Sequence, residues 1–211
     1  MIYCTKHYLY NIFILFIILL SIIPSPAIGA PNFVRIQLGK GASIEVPKNW
    51  SVLSENQRIS INKYVKEKRL ALTRFSLNFA ANLFDDRGKT MASVNARFYP
   101  DNPFNQYDAI KLMSNGMEEI DAELRNGVES SMRTLGVQVL NWYGSKIQII
   151  NGLFVIVHEH STSSSHGVSI SRGLRVWRSP RSFTVTLSYQ ENEANTLKPI
   201  IDYMTDSLQQ D

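Results

Sequence analysis

Between Leu77 and Phe98 the chain alternates. Leu77, Phe79, Ala81 and Leu83 are interleaved with Asn78, Ala80 and Asn82, and after Asp85-Asp86-Arg87-Gly88 the set Ala92, Val94, Ala96 and Phe98 is interleaved with Ser93, Asn95 and Arg97. A period of two sends alternate side chains to opposite faces of a strand, and a short Gly-containing turn between two such runs makes them antiparallel neighbours with one buried face. The pattern recurs. Phe33 to Leu38 and Ser43 to Val46 flank Gly39-Lys40-Gly41 and stop at Pro47, which reads as a short hairpin. Residues 138–150 and 153–162 flank Asn151-Gly152, the strongest short-range hairpin signal in the chain. Residues 168–178 and 182–190 flank Ser179-Pro180-Arg181, and in the last run Phe183, Val185, Leu187 and Tyr189 oppose Thr184, Thr186 and Ser188. Consecutive hairpins build an antiparallel sheet, whose apolar side must be covered.

Three segments change period and supply the cover. Ser54 followed by Gln57 resembles a capping box, and Ile61, Tyr64, Val65 and Leu72 then fall near one face, which predicts a helix over about 55–69. After Pro103, Ile110, Met113, Met117, Ile120, Leu124, Val128, Met132 and Leu135 recur every three or four residues until Gly136. That spacing predicts one amphipathic helix on the order of 45 Å long at 1.5 Å per residue. Gly116 and Gly127 each cost it about 1 kcal/mol, so a break near Asn115-Gly116 is the alternative, but the apolar phase runs through both glycines and favours continuity. Leu197, Ile200, Ile201, Met204 and Leu208 line a last helix beginning at Asn195 or Thr196, which places Pro199 in its first turn. Ser161 to Ser165 reads as a polar loop. The fold class is therefore α+β, an antiparallel sheet packed against helices.

The first thirty residues are an address rather than a fold element. Ile12 to Ile23 is an apolar run interrupted only by Ser21, behind Lys6 and ahead of Pro24-Ser25-Pro26-Ala27-Ile28-Gly29-Ala30. Spanning a bilayer takes about 20 apolar residues, so the run is short for an anchor. A basic start, a short apolar core and small residues at Ala27 and Gly29 match a secretory signal peptide over 1–29, leaving 30–211 as a single domain. A signal anchor that is not cleaved is the competing reading, and both put the domain across a membrane in a periplasmic or secreted location. The only Cys, Cys4, precedes the apolar core, so the domain has neither a disulfide nor a Cys after that core to carry lipid. A net charge of +4 on 211 residues is too small an excess to imply nucleic acid.

Several landmarks resemble the PsbP-like family, which includes the extrinsic subunit of photosystem II, a nuclear-transport nucleotide-release factor and the bacterial DcrB-like envelope proteins. They are Ser43-Ile44-Glu45-Val46-Pro47-Lys48-Asn49-Trp50, then Asn151-Gly152-Leu153 opening a strand, then Phe183-Thr184-Val185-Thr186-Leu187-Ser188-Tyr189 with a final helix ending Asp206-Ser207-Leu208. The resemblance covers nearly all of 33–208. It implies an α/β/α sandwich used for binding and assembly, and no functional residue transfers with it because the family shares no active-site motif.

Two groups of side chains carry potential chemistry. His158, Glu159 and His160, with His166 beyond, are the one cluster of ligand-type residues. His158 and His160 lie on one strand face about 7 Å apart, and a loop over 161–165 returning His166 beside them makes a three-His site for zinc or copper. The blander reading is a solvated, pH-sensitive patch at a hairpin tip. Arg172, Arg175, Arg178 and Arg181 gather near Trp177, and with Lys63, Lys66, Lys68 and Arg69 they supply a surface for anionic lipid or an acidic partner. Separate solvated faces are the simpler reading, since Glu67 and the near-balanced total dilute any field. Arg175 and Trp177 share a strand face and are placed to stack. The tryptophans Trp50, Trp142 and Trp177 read as packing.

No Gly-x-Ser-x-Gly elbow exists, and Gly39-Lys40-Gly41 lacks the length and ending of a phosphate loop. The expectation is an exported, non-enzymatic envelope accessory protein without a cofactor, acting on a partner protein of the envelope or on a small ligand held at the polar Thr184, Thr186 and Ser188 face. The rival is a metal-dependent enzyme built on His158, His160 and His166 with Glu159 as a nearby base.

Overall fold

Alternation becomes pairing in a computed structural model of the chain, which describes residues 32–67, 77–99, 102–114, 116–165 and 167–211. In chain order the elements are β1 (Phe33–Gly39), β2 (Ala42–Pro47), β3 (Ser51–Val52), α1 (Glu55–Glu67), β4 (Leu77–Phe84), β5 (Thr90–Tyr99), α2 (Gln106–Ser114) and α3 (Met117–Thr134). Then come β6 (Gln138–Ile150), β7 (Leu153–Ser164), β8 (Gly167–Val176), β9 (Ser182–Gln190), a 3₁₀ turn (Glu191–Glu193), α4 (Ala194–Asp206) and β10 (Gln209–Gln210). The signal-peptide segment lies outside the described residues; the fold occupies 33–211 as one unit.

Seven strands form one antiparallel sheet in the order β3-β4-β5-β9-β8-β7-β6, and β1, β2 and β10 form a second, small one. One face of the large sheet presents Phe79, Ala81, Val94, Ala96, Val155, Val157, Leu174, Val176, Phe183, Val185 and Leu187. These pack against Ile44 and Val46 of β2, Trp50, and Leu197, Ile201 and Met204 of α4, and this is the main core. Fully burying a branched aliphatic side chain stabilises by about 1.5–3 kcal/mol, so this face dominates the stability. The opposite face holds a smaller core, in which Ala109 of α2 and Leu124 of α3 meet Ile156 and Trp177, with Ile147 and Phe154 beside them. The result is an α+β sandwich with the seven-stranded sheet as its middle layer.

Local signals work as physical chemistry requires. Ser54 and Gln57 form the reciprocal capping box, Ser54 N–H donating to Gln57 Oε1 at 2.8 Å and Gln57 N–H to Ser54 Oγ at 3.4 Å. Asn151 and Gly152 turn β6 into β7 with φ of 47° and 80°. Asn151 also ties this turn to the end of α4, its Nδ2 donating to the carbonyls of Asp206 and Leu208.

The structure corrects three expectations and adds an element. The helix predicted after Pro103 is two helices, with Gly116 as the N-cap of α3 at φ 159°. Apolar phase persists across the break because both helices lie over the same sheet face, so periodicity alone did not reveal it. The polar segment 161–165 is largely strand: β7 continues to Ser164 and pairs there with Gly167, and Ser161 and Thr162 are buried by that pairing. Helix α4 begins at Ala194, which puts Pro199 in its second turn, where the proline leaves the Asn195 carbonyl without its helical donor. The chain also continues past α4 into β10, which pairs with β2.

Candidate functional site

The site begins as a grid. On the face of the large sheet opposite the main core, pairing register aligns side chains into rows across the strands. One row runs Ser145, His158, Gly173, Thr186, Asn95. The next row along the strands runs Ile147, Ile156, Arg175, Thr184, Arg97, and on the other side lie Trp142, His160, Ser171, Ser188, Ser93. Directly opposed side chains sit about 5 Å apart at Cβ, so these rows are contacts.

A bulge in β6 shapes the histidine end. Trp142 pairs with His160, but His158 pairs with Ser145, one residue further than regular pairing allows. The indole of Trp142 and the two imidazoles stack nearly parallel, with centroids 5.3 Å apart for Trp142 and His158, 5.8 Å for Trp142 and His160, and 5.9 Å for the two histidines. Trp142 Nε1 donates to Asp121 Oδ1 of α3 at 2.9 Å, which fixes the indole under that helix. Across the strand pair, a Cβ on Gly173 would fall 2.1 Å from Cε1 of His158, so the imidazole lies in the space a side chain would take.

Both histidines are buried, with 6% and 3% of their surface exposed. The solvated patch expected from sequence is therefore corrected: the hairpin tip lies further along, and α2 and α3 cover this part of the face. Burial pushes the His158 imidazole down to about 3, with positive charge on His160 and Arg175 adding to it and Asp121 opposing it. Burial alone pushes His160 down to about 4. Both rings are neutral near pH 7.

The buried polar atoms left without a hydrogen-bond partner among the described residues concentrate here. They include Ser145 Oγ, Nδ1 of His158, both ring nitrogens of His160, Arg175 Nε and Thr184 Oγ1; the other, Gln210 Oε1, lies elsewhere. Ser171 and Ser188, one row away, satisfy each other at 2.8 Å. A buried polar group without a partner costs about 1–3 kcal/mol, so a cluster of them on one face marks a place shaped for something other than stability. Helix α2 is fastened over the edge of this face by Gln106, whose Nε2 donates to the carbonyls of Phe154 and Trp177 while its Oε1 accepts from Phe154 N–H.

The sequence-named residues divide. His158 and His160 are together; His166 lies outside the described residues, and among those described no group of three or more His, Cys, Asp or Glu side chains is placed to hold a metal ion. Glu159 points to the opposite face, where it accepts from Arg172 at 2.7 Å. Arg172 also pairs with Asp202 at 2.9 Å and donates to Thr205 Oγ1, so it ties the sheet to α4. Arg175 alone of the four arginines stands on the histidine face, its guanidinium 5.9 Å from the Tyr99 ring centroid. Trp177 stacks on Phe104 rather than on Arg175. Arg178 donates to the Gln210 carbonyl, and the Arg181 carbonyl accepts from the Gln210 side chain, so both serve the C-terminal strand. Sequence reasoning missed Arg97, Ser145, Asp121 and Gln106. The one available signal was Gly173, a glycine inside a strand pattern, which often means close approach of another group.

No family model matches the chain, and no curated protein matches it in sequence. Solved structures do match in shape. The chain is similar in fold to PsbP-like proteins. The cyanobacterial PsbP of Synechocystis sp. PCC 6803 matches 90% of this chain over 99% of its own, at 12% identity and a TM-score of 0.49. A protein of unknown function from Pseudomonas aeruginosa, PA94, described as a putative regulator, matches 85% over 98% of its own at 11% identity and a TM-score of 0.44. LpqN, described as involved in cell envelope biogenesis of Mycobacterium tuberculosis, matches 84% over 90% at 11% identity and a TM-score of 0.44.

Proposed function

We propose that this chain is an exported accessory protein of the cell envelope that works by binding, and that the histidine and arginine face of its large sheet is where it binds. The observation that carries the reading is the cluster of buried, unpartnered polar atoms on Ser145, His158, His160, Arg175 and Thr184. Such atoms cost stability unless water, a ligand or a partner group answers them, and their concentration on one face supports binding there. Export is supported by the apolar run Ile12 to Ile23 behind Lys6 and the small residues Ala27 and Gly29. Among the described residues no helix is long and apolar enough to cross a membrane.

The test is co-purification of the tagged protein from crosslinked envelopes, with metal content measured on the same sample. A stoichiometric partner or ligand that is lost with His158→Phe, while a surface variant such as Lys63→Ala retains it, supports the reading. A protein that carries stoichiometric zinc or copper, released by His160→Ala, replaces it with the metal-dependent enzyme. Equal recovery of the same partner by wild type and His158→Phe moves the binding surface off this face.

A further inference from the structure

Within that face the row Arg175, Thr184, Arg97 stands apart. β8 pairs with β9 at Arg175 and Thr184, and β9 pairs with β5 at Thr184 and Arg97. Neighbouring strands lie about 4.8 Å apart, so the two arginines flank the threonine with their Cα atoms about 10 Å apart. Thr184 is 9% exposed, and its hydroxyl and the Nε of Arg175 are buried without a partner among the described residues. No carboxylate among the described residues is within ion-pair distance of Arg175. The Tyr99 ring stands 5.9 Å from the Arg175 guanidinium carbon.

The charges along the row itself are positive, and the one acid placed near this face, Asp121, acts at the histidine end. Arg97 and Arg175 are positive, and burial draws the Arg97 guanidinium below its ordinary range. His158 and His160 are neutral near pH 7. Asp121, the acid facing the histidine end from α3, accepts from the Trp142 indole and keeps its negative charge there, beside His158. The Arg175 guanidinium edge beside the Thr184 hydroxyl offers hydrogen bonds matched to a planar or tetrahedral oxyanion.

We propose that Arg175, Thr184 and Arg97 form a binding site for an oxyanion, a carboxylate or phosphate group, with Arg175 Nε and Thr184 Oγ1 as its direct donors. This rests on the binding role proposed above and names the chemistry of what is bound. The two donors select a small anionic group: on one side the adjoining row offers the polar Thr186 and Asn95, and Ile156, paired with Arg175, closes the other.

The test titrates inorganic phosphate and acetate, each against matched sodium chloride, and vesicles of phosphatidylglycerol against phosphatidylcholine, into the purified exported protein. Binding is read from thermal unfolding and from the Arg Nε–H resonances. Saturable binding of phosphate or acetate that shifts the Arg175 resonance is the expected result. Arg175→Gln weakens it about tenfold or more, since a hydrogen bond to a charged group is lost, and Thr184→Val weakens it severalfold. Arg175→Lys keeps the charge and loses the Nε donor, so it recovers only part of the affinity while controlling for folding. Vesicle binding that free phosphate displaces identifies a lipid headgroup as the source; binding of the free anions alone identifies a soluble one. Absence of saturable binding to phosphate, acetate and vesicles overturns the oxyanion assignment, and a partner still lost with His158→Phe then leaves the binding role of the face standing. Unchanged anion affinity in a folded Arg175→Gln protein overturns it as well.

Discussion

Lowering the pH from 7 to 5.5 destabilises this fold through His158 and His160. In the folded chain the two imidazoles titrate at about 3 and about 4, and when unfolded they return to the ordinary value of 6.5. Across that window the unfolded chain takes up protons that the folded chain refuses, so the unfolded state gains and stability falls as pH falls. For a base with a depressed native value, the contribution is full above the unfolded 6.5 and is lost progressively as pH descends toward the folded values. An unfolded imidazole goes from about one-quarter to about nine-tenths protonated between pH 7 and 5.5, which removes about 1.3 kcal/mol per ring and about 2.5 kcal/mol for the pair. At a urea slope of about 2 kcal/mol per molar, the midpoint drops by about 1.2 M.

Carboxylates do not confuse this window. Tyr203 and then Arg35 hold Glu45 below its ordinary 4.5. Asp202 is raised by burial but ends below its ordinary 3.8 through the hydrogen bonds of Lys198 and Arg172. Their stabilisation is lost only at still lower pH. The assay is urea unfolding at pH 7, 6.5, 6 and 5.5, followed by tryptophan fluorescence, for wild type and His160→Gln. The variant is expected to lose about half the slope whatever its absolute stability. A wild-type change under about 1 kcal/mol over the window refutes the reasoning, as does a native imidazole of His158 or His160 that titrates near 6.5 by NMR.

Three further outcomes are expected. Gly173→Ala forces a methyl into the His158 ring and costs about 3 kcal/mol, while in a His158→Ala background the same change costs under about 1 kcal/mol; equal costs in both backgrounds refute the ring-over-glycine arrangement. Arg172→Ala leaves Glu159 and Asp202 facing each other without their shared cation and costs about 2–3 kcal/mol in chemical unfolding, below the fully buried range because both carboxylates keep some water. Intact mass of the exported protein is expected to begin at Ala30, and a mature chain that retains Lys6 and the apolar run makes it a membrane-anchored module instead.

The layout was legible because strand pairing and helix cover leave periodic traces. Phe79, Ala81, Val94, Val185 and Leu187 all occupy core positions that alternation assigns them. Helix continuity was not legible for a related reason. Leu112 of α2 and Met117 and Ile120 of α3 approach one sheet face, so their phase is set by the sheet and survives the break at Gly116. Length was equally hidden in β7, where Ser161 to Ser164 look like loop residues but are held in strand by ten consecutive pairings with β8. Tertiary pairing overrides the weak strand preference of serine there.

The histidine end illustrates what sequence omits about a site. His158 and His160 were visible as a pair on one face, and that much follows from the period of two. Their burial was not, because it depends on three residues remote in sequence: Asp121 seating the Trp142 indole, Gln106 fastening α2, and Gly173 yielding its space. Four arginines spaced at three residues suggested one basic surface, yet a strand sends Arg172 and Arg175 to opposite faces because their spacing is odd. Arg172 consequently meets carboxylates from β7 and α4, while Arg175 meets a tyrosine ring and a threonine. The same odd spacing that separates the two arginines decides which of them stabilises the fold and which is left with a donor to offer a ligand.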